Sequence, residues 1–282
     1  MSAPFALALL RLDGVGRVTA HRSLDRWDSL EALRATPREQ VRLRLKGAPR
    51  ADATVEHLFN DALDAALEAA QAQVEALAPK GISVLASGDD GWPAGLDELP
   101  ASERPVCLWR YGHADALAPS DGDVPALALL GRAGLPPSSF GAASALAERF
   151  ASGGLVSGAK DGFDLAVQKT ALGAGGRVVA VAPCGLAKLE PSLRPGATAL
   201  VRAGGALVSP FPMGHGPFDH DQREAALVAA ALARTAAGSA AATPEARALA
   251  WAAESSRVGL DLDARASGAV ATIETALAGE TT

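Results

Sequence analysis

A strand–turn–helix–strand pattern between residues 153 and 183 constrains the fold of this chain more than any other segment. The apolar run Gly153-Gly-Leu-Val-Ser157 leads into a loop that holds Gly158 and Gly162, and a helical pattern follows at once. Gly175-Gly-Arg-Val-Val-Ala-Val-Ala-Pro183 then supplies a second buried strand. The right-handed crossover of such a unit places the glycine turn at the carboxyl edge of a parallel sheet.

This glycine turn has the chemistry of an anion site. The first N–H groups of a helix have no partner inside the helix, and the helix dipole adds partial positive charge. We therefore predict that unpaired main-chain amides at the turn, aided by nearby cations, hold a phosphate. The competing interpretation is a turn that needs glycine only for its backbone geometry, with Asp164 capping the helix that it begins.

Strand and helix patterns alternate through the rest of the chain after residue 80, which predicts an α/β protein. We expect a Rossmann-like, mostly parallel sheet with helices on both faces, preceded by a small all-helical domain. The helical domain covers residues 1–75 and the extended Rossmann-like domain covers 76–282, and a long helix over 51–78 connects the two. The Ala-rich stretch 225–252 shows no strand pattern. Further strands are predicted at 82–85, 106–109, 126–130, 206–209 and 257–262, and further helices at 140–151, 221–234, 243–255 and 266–278.

A second glycine turn lies in the helical domain. Gly14-Val15-Gly16 separates two short helical patterns and resembles a helix–hairpin–helix, in which main-chain N–H groups meet a DNA phosphate. The alternative is a tight turn that serves a small helical bundle.

Charge is distributed unevenly along the chain. The net charge is −6, but residues 1–50 carry +5, 51–125 carry −11, 126–234 carry +3 and 235–282 carry −3. Two basic blocks flank an acidic one, so the electrostatic potential at a local surface can be positive although the net charge is negative. A nucleic-acid partner therefore stays possible. The alternative is that the acidic helices are merely solvated surface. With 49% hydrophobic and 21% charged residues, wholesale disorder is excluded.

The composition also predicts the compartment. Cys107 and Cys184 lie far apart without metal-ligand spacing, which is typical of reduced thiols in a cytosolic protein. The apolar run Ala3 to Leu10 is too short for a signal peptide, and no run approaches the ~20 apolar residues that span a bilayer. We expect a cytoplasmic protein without membrane contact.

Motifs for catalysis are not recognisable. The chain has no nucleophile elbow, Walker loop or paired-carboxylate pattern, and Ser157-Gly-Ala-Lys160 lies where the phosphate turn is expected. His215, Asp219, His220 and Asp221 form a tempting metal set, but no second ligand cluster accompanies them. We therefore predict no enzyme activity, no cofactor and no metal site.

Three patches in order resemble the DNA-processing protein A family of bacteria. They are residues 81–96 with 105–112; Ser157-Gly-Ala-Lys-Asp-Gly-Phe-Asp164 with Ala171-Leu172 and 175–181; and Ser209-Pro-Phe-Pro212 with Phe218 and Arg223. The resemblance covers roughly residues 5–262. It implies an extended Rossmann-like protein that binds single-stranded DNA and delivers a RecA-type recombinase onto it during natural transformation, usually as a homodimer. The DNA-binding residues carried over are Gly131, Arg132, Ser157, Gly158, Lys160, Lys169 and Arg223.

Several positions depart from the family pattern. Asp161 stands where the family has an arginine, Gln168 replaces a histidine, and Asp221 replaces the first arginine of a triplet of which only Arg223 is kept. Each change from arginine to aspartate turns a phosphate attraction into a repulsion, so we expect weaker and more salt-sensitive DNA binding. The winged-helix tail of some members is not expected.

Two other functions stay open. The chain could be an interaction protein that has lost most DNA binding, with Arg132 in an ordinary salt bridge and Lys160 and Lys169 on a solvated face. It could also be a nucleotide-binding sensor or phosphoribohydrolase on the same fold, although the Pro-Gly-Gly-x-Gly-Thr loop of those enzymes is missing.

Overall fold

The computed structural model describes residues 3–48, 50–117, 127–132, 135–160, 162–240, 243–255 and 257–279. The chain forms two compact units. The first comprises Met1–Trp92 and Leu99–Leu108, and the second comprises Pro93–Glu98 and Trp109–Thr282. The predicted boundary between residues 75 and 76 stays a prediction.

Helices dominate the first unit. α1 packs against α6, and buried side chains such as Phe5, Leu9 and Leu63 fill the space around them. A strand, β1 (Ile82–Ala86), follows the last helix after a short 3-10 turn. The helices are α1 (Ala3–Arg11), α2 (Arg17–Leu24), α3 (Leu30–Ala35), α4 (Arg38–Arg44), α5 (Ala51–Leu58) and α6 (Asp61–Leu77).

The prediction of one long helix over 51–78 is wrong, because α5 and α6 are separate. Asn60 has an extended backbone, and its side-chain oxygen accepts a hydrogen bond from the N–H of Ala62 at 2.9 Å. Asparagine is a strong N-cap, since its oxygen satisfies a donor that the helix leaves unpaired. The apolar periodicity continues through the break, which is why the pattern alone did not locate it.

A mostly parallel sheet forms the second unit. Its strand order is β2-β6-β5-β4-β3-β7-β8. β2 runs antiparallel to β6 with Trp109 opposite Ser209, and the other pairs are parallel. The strands are β2 (Cys107–Gly112, of which the last four residues belong to this unit), β3 (Leu127–Leu130), β4 (Leu155–Gly158), β5 (Val178–Val181), β6 (Ala206–Ser209), β7 (Thr235–Gly238) and β8 (Val258–Asp261).

Helices cover both faces of this sheet. The chain leaves β3 in the middle and moves outward through β4, β5 and β6, so right-handed crossovers put α7, α8 and α9 on one face. It then returns to β7 and β8, which puts α10 and α11 on the other. The α/β prediction is confirmed. The helices are α7 (Pro137–Arg149), α8 (Phe163–Gly173), α9 (Arg194–Arg202), α10 (Asp221–Ala231), α11 (Thr243–Glu254), α12 (Leu262–Arg265) and α13 (Ala269–Gly279).

The expectation of no strand within 225–252 is wrong, since β7 lies between β3 and β8. Ala236 and Ala237 are fully buried, and a Cβ added to Gly238 would lie 2.1 Å from the carbonyl oxygen of Leu130. A central strand this tightly packed needs small side chains. Alanine and glycine are poor strand formers by propensity, so only the tertiary packing reveals the strand.

Neither a membrane helix nor a metal cluster is found in the part of the chain that the structure describes. No helix there combines the length and the apolar character that crossing a bilayer requires. No group of three or more His, Cys, Asp or Glu side chains there could hold a metal ion.

Candidate functional site

The carboxyl ends of β3, β4 and β5 meet at one edge of the sheet, where three turns converge. Gly131 follows β3, Gly158 ends β4 and Pro183 follows β5, and all three line the same small pocket. At both glycines an added Cβ would meet a neighbouring side chain. An added Cβ would lie 2.7 Å from the ring of Phe163 at Gly131, and 2.3 Å from Oδ2 of Asp164 at Gly158.

A carboxylate of the chain itself occupies the glycine turn after β4. Asp164 is only 1% exposed, and its Oδ2 accepts a hydrogen bond from the backbone N–H of Lys160 at 3.1 Å. This hydrogen bond pairs one of the main-chain amides that we predicted to be free, while a phosphate contact at the turn stays a prediction. The competing interpretation of Asp164 as a capping residue agrees with this geometry. Asp161 lies outside the described residues.

The buried polar groups of β4 and α8 hold this turn together. Gln168 donates from Nε2 to the Ser157 hydroxyl at 3.0 Å and to the Gly158 carbonyl at 2.7 Å. Ser157 is 0% exposed, and its hydroxyl donates to the Gly158 carbonyl. The Ser157 hydroxyl therefore supports the turn from inside, and the predicted part of Ser157 in DNA binding stays a prediction.

The pocket at the ends of β3 and β4, which we call the inner pocket, is small and acidic. It offers about 20 Å³, enough for roughly one water molecule. Asp164 and Glu245 face one ammonium group there, that of Lys160. The Nζ of Lys160 lies 3.8 Å from Oε1 of Glu245 and 3.5 Å from Oε1 of Gln222. Two carboxylates against one cation disfavour a phosphate in this pocket.

Glu245 is almost completely buried, at 4% exposure. Its Oε2 has no hydrogen-bond partner among the residues that the structure describes. A buried carboxylate of this kind is costly unless a cation compensates it. Lys160 supplies that cation, so its ammonium group has a structural task in addition to any contact with a ligand.

An adjoining cleft, which we call the outer cleft, is larger and less acidic. It encloses about 190 Å³ and is lined by Lys160 and Lys188 together with one carboxylate, Glu190. Cys184 lies at its base, and burial raises the pKa of this thiol, helped by the nearby charges of Asp221 and Glu190. The outer cleft is where an anion can enter this edge of the sheet.

Lys188 is a residue that the sequence reasoning missed. It ends the 3-10 turn Leu186–Lys188 that follows β5, and it is exposed. The available signal was its position just after a strand of the parallel sheet, because the carboxyl edge gathers such residues. Glu245 gave no comparable signal, since it lies in an Ala-rich helical stretch.

The predicted site residues are only partly brought together. Gly131, Gly158 and Lys160 line the inner pocket, and Lys160 also reaches the outer cleft. Arg132, Lys169 and Arg223 are exposed and line neither. Their contact with DNA stays a prediction.

One buried carboxylate organises the loop that holds His215 and His220. Asp221 is 2% exposed and accepts from the N–H of Phe218 at 3.2 Å. Nε2 of His215 lies 3.0 Å from its Oδ2, and Nε2 of His220 lies 3.3 Å from its Oδ1. The position where the family pattern has an arginine therefore fixes the loop that precedes α10.

The Gly14-Val15-Gly16 turn between α1 and α2 borders an open cleft of about 410 Å³. Arg17 and Arg50 line it, and Nη1 of Arg50 lies 3.8 Å from Oδ1 of Asp13. A DNA contact at this turn stays a prediction. Arg17 and Arg50 form a second basic surface, so an experiment on DNA binding has to distinguish this cleft from the sheet edge.

Comparison with known proteins agrees with this architecture. DNA processing protein A from Streptococcus pneumoniae superposes with a TM-score of 0.63 at 18% identity, covering 96% of this chain and 90% of that one. A structure addressing the single-stranded DNA binding mode of DNA processing protein A from Helicobacter pylori gives a TM-score of 0.50 at 19% identity, covering 62% and 78%. These two likenesses concern the fold.

Comparison of sequences identifies the family. No curated protein matches the chain. The family model for DNA recombination-mediator protein A, however, matches residues 83–237, which is more than half of the 282 residues. This range contains β3 to β6, all but the last residue of β7, and the residues that line the inner pocket and the outer cleft except for Glu245. The chain therefore belongs to the DNA recombination-mediator protein A family.

Proposed function

We propose that this protein binds single-stranded DNA at the carboxyl edge of its sheet and assists the loading of a RecA-type recombinase during natural transformation. The observation that carries the proposal is the outer cleft, where Lys160 and Lys188 face one carboxylate inside the region matched by the family. Lysines that line a cleft attract a phosphate backbone, because their contacts with it release counterions.

The likeness to DNA processing protein A of Helicobacter pylori, whose structure concerns single-stranded DNA, supports this choice of ligand. The inner pocket, at about 20 Å³, is too small for a nucleotide, so a nucleotide sensor would have to use the outer cleft. We further propose that the protein works in the cytoplasm as a homodimer and carries out no chemical step of its own. Gly131 and Gly158 then act through backbone geometry, and Arg223 and Lys188 act as phosphate contacts.

Binding of single-stranded DNA should depend on salt through these cations. We expect an oligo-dT to bind in preference to duplex at low salt. Removing one contacting cation, in Lys188→Ala or Arg223→Ala, should lower the slope of log affinity against log salt by about 0.7, the value for one phosphate contact on a single strand. Fluorescence anisotropy titrations at several salt concentrations measure this slope.

Arg202→Ala is the matched control, because Arg202 is exposed in the last turn of α9 and therefore lies away from the carboxyl edge. Its slope should equal that of the unchanged protein. Loss of slope in Arg17→Ala or Arg50→Ala, with none in Lys188→Ala, would move the site to the helical unit. Absence of any binding at tens of micromolar protein, where even weak non-specific binding registers, would favour the interaction protein.

The recombinase part of the proposal has its own readout. We expect the protein to speed the assembly of a RecA-type filament on single-stranded DNA that is coated with single-strand-binding protein. Filament growth can be followed by the DNA-dependent ATPase of the recombinase. Binding of DNA without any acceleration would limit the function to DNA binding alone.

A further inference from the structure

The loop between β6 and α10 carries four rings that run from the core to the surface. Phe211 and His215 stack with their centroids 4.8 Å apart and their planes at 7°. His215 meets Phe218 edge-on at 5.2 Å, and Phe218 lies parallel to His220 at 5.6 Å and 4°. We call these four residues the ring stack.

Exposure rises steadily along the ring stack. Phe211 is 5% exposed, Phe218 is 53% exposed, and the side chain of His220 is 80% exposed. The inner rings therefore anchor the stack, while the outer two present flat surfaces to solvent. A single exposed phenylalanine is ordinary, but two parallel exposed rings on an anchored base form a platform.

Hydrogen bonds hold this platform in place. The buried Asp221 accepts a hydrogen bond from the N–H of Phe218 and is hydrogen-bonded to His215, and its Oδ1 lies 3.3 Å from Nε2 of His220. On the other side, the N–H of Gly185 donates to the carbonyl of His215 at 2.8 Å. Because these contacts fix the loop before any ligand arrives, a partner that stacks on the rings loses little free energy to ordering.

The ring stack stands next to the outer cleft. Pro217 and Gln222, which flank Phe218 and His220 in the chain, both line the cleft beside Lys160 and Lys188. Flat rings beside cations are the combination that binds single-stranded nucleic acid, since bases stack on rings while phosphates follow the basic groove. An apolar peptide would find imidazoles and the exposed Asp219 around Phe218, which suits it poorly.

From this geometry we propose that Phe218 and His220 are a stacking platform for unpaired bases of single-stranded DNA, whose phosphates lie in the outer cleft. The inference rests on the proposed function. It adds which part of the DNA each surface binds: the rings bind the bases, and the outer cleft binds the phosphates. Stacking on rings is tolerant of sequence, so the platform selects unpaired bases over duplex without selecting a sequence.

Two oligonucleotides of equal length and charge test the proposal, oligo-dT and an abasic strand with the same phosphates. The unchanged protein should bind oligo-dT more tightly than the abasic strand. Phe218→Ala should weaken oligo-dT binding roughly 10- to 100-fold, the effect of losing one stacked base, and should narrow the difference in affinity between the two strands, with His220 as the remaining ring. Its salt slope should not change, because no cation is removed. His220→Ala should act in the same direction.

Leu43→Ala is the matched control, since Leu43 is 69% exposed in α4 and its loss tests the general effect of removing an exposed apolar side chain. Phe218→Trp should retain affinity, and its added fluorescence should be quenched by oligo-dT and not by the abasic strand. This variant keeps the test valid if Phe218→Ala unfolds.

The outcomes separate the two proposals. Salt-dependent binding that is equal for oligo-dT and the abasic strand would overturn the platform and leave the DNA-binding function standing. Phe218→Ala with unchanged oligo-dT affinity, or an unquenched Phe218→Trp, would do the same. Absence of binding to either strand by the unchanged protein would overturn both.

Discussion

Replacing Gly185 by alanine is expected to destabilise the protein by about 3 kcal/mol, at the upper end of the usual cost of overpacking. An added Cβ would lie 2.0 Å from the carbonyl oxygen of Pro212 and 2.5 Å from that of Met213. Both atoms belong to the backbone of the loop that carries the ring stack, so they cannot rotate away. The loop must move, and the hydrogen bond from Gly185 to His215 is strained or lost.

Gly214→Ala is the control for this change. Gly214 lies in the loop that carries the ring stack. Its φ is not positive, and an added Cβ would meet nothing within 4 Å. Thermal unfolding should show a loss of about 6–12 °C for Gly185→Ala and almost none for Gly214→Ala. Gly185→Ala should also weaken oligo-dT binding more than Gly214→Ala does, because the platform is displaced. Equal melting temperatures for the two variants would contradict the packing described for this loop.

Lys160→Met should cost about 2 kcal/mol of stability, although lysine is an ordinary surface residue elsewhere. The substitution keeps the aliphatic stem and removes the ammonium group, so Glu245 is left buried without its cation. An uncompensated buried charge is destabilising by this order, and the 28% exposure of the Lys160 side chain moderates the effect. Chemical denaturation measures the change in the free energy of unfolding.

A double-mutant cycle tests the cause. Glu245→Gln removes the buried charge at nearly constant volume, so Lys160→Met should cost much less in that background, with a coupling of about 1 kcal/mol or more. Lys169→Met is the matched control, because Lys169 is an exposed lysine of α8, and its effect should stay within about 0.5 kcal/mol. Additive effects of Lys160→Met and Glu245→Gln would refute a structural task for this ammonium group.

Much of the fold could be read from local patterns. Apolar runs bounded by glycine marked β4 and β5, and the glycine turn between β4 and α8 was located correctly. The break at Asn60 and the strand β7 were not, for opposite reasons. The first is hidden by a periodicity that runs through it, and the second consists of residues whose own propensity opposes a strand.

The candidate site was harder to predict because its charges are paired across long distances in the chain. Lys160 and Glu245 are 85 positions apart, and only the packing of α11 brings them together. The sequence shows how many cations the chain has, but it does not show which of them are already paired with a carboxylate. Lys188, which lines the outer cleft, was missed for this reason.

The amino-acid sequence by itself determined the α/β class, the glycine turn at the carboxyl edge of the sheet and the likeness to a DNA-processing family, because these depend on short-range periodicity and on motifs within about ten residues. Only the tertiary structure decided that Asp164 fills that turn, that the open cleft lies beside it, and that four rings stack at its border. Such facts depend on which side chains neutralise, bury or stack on one another, and the fold alone brings those partners together.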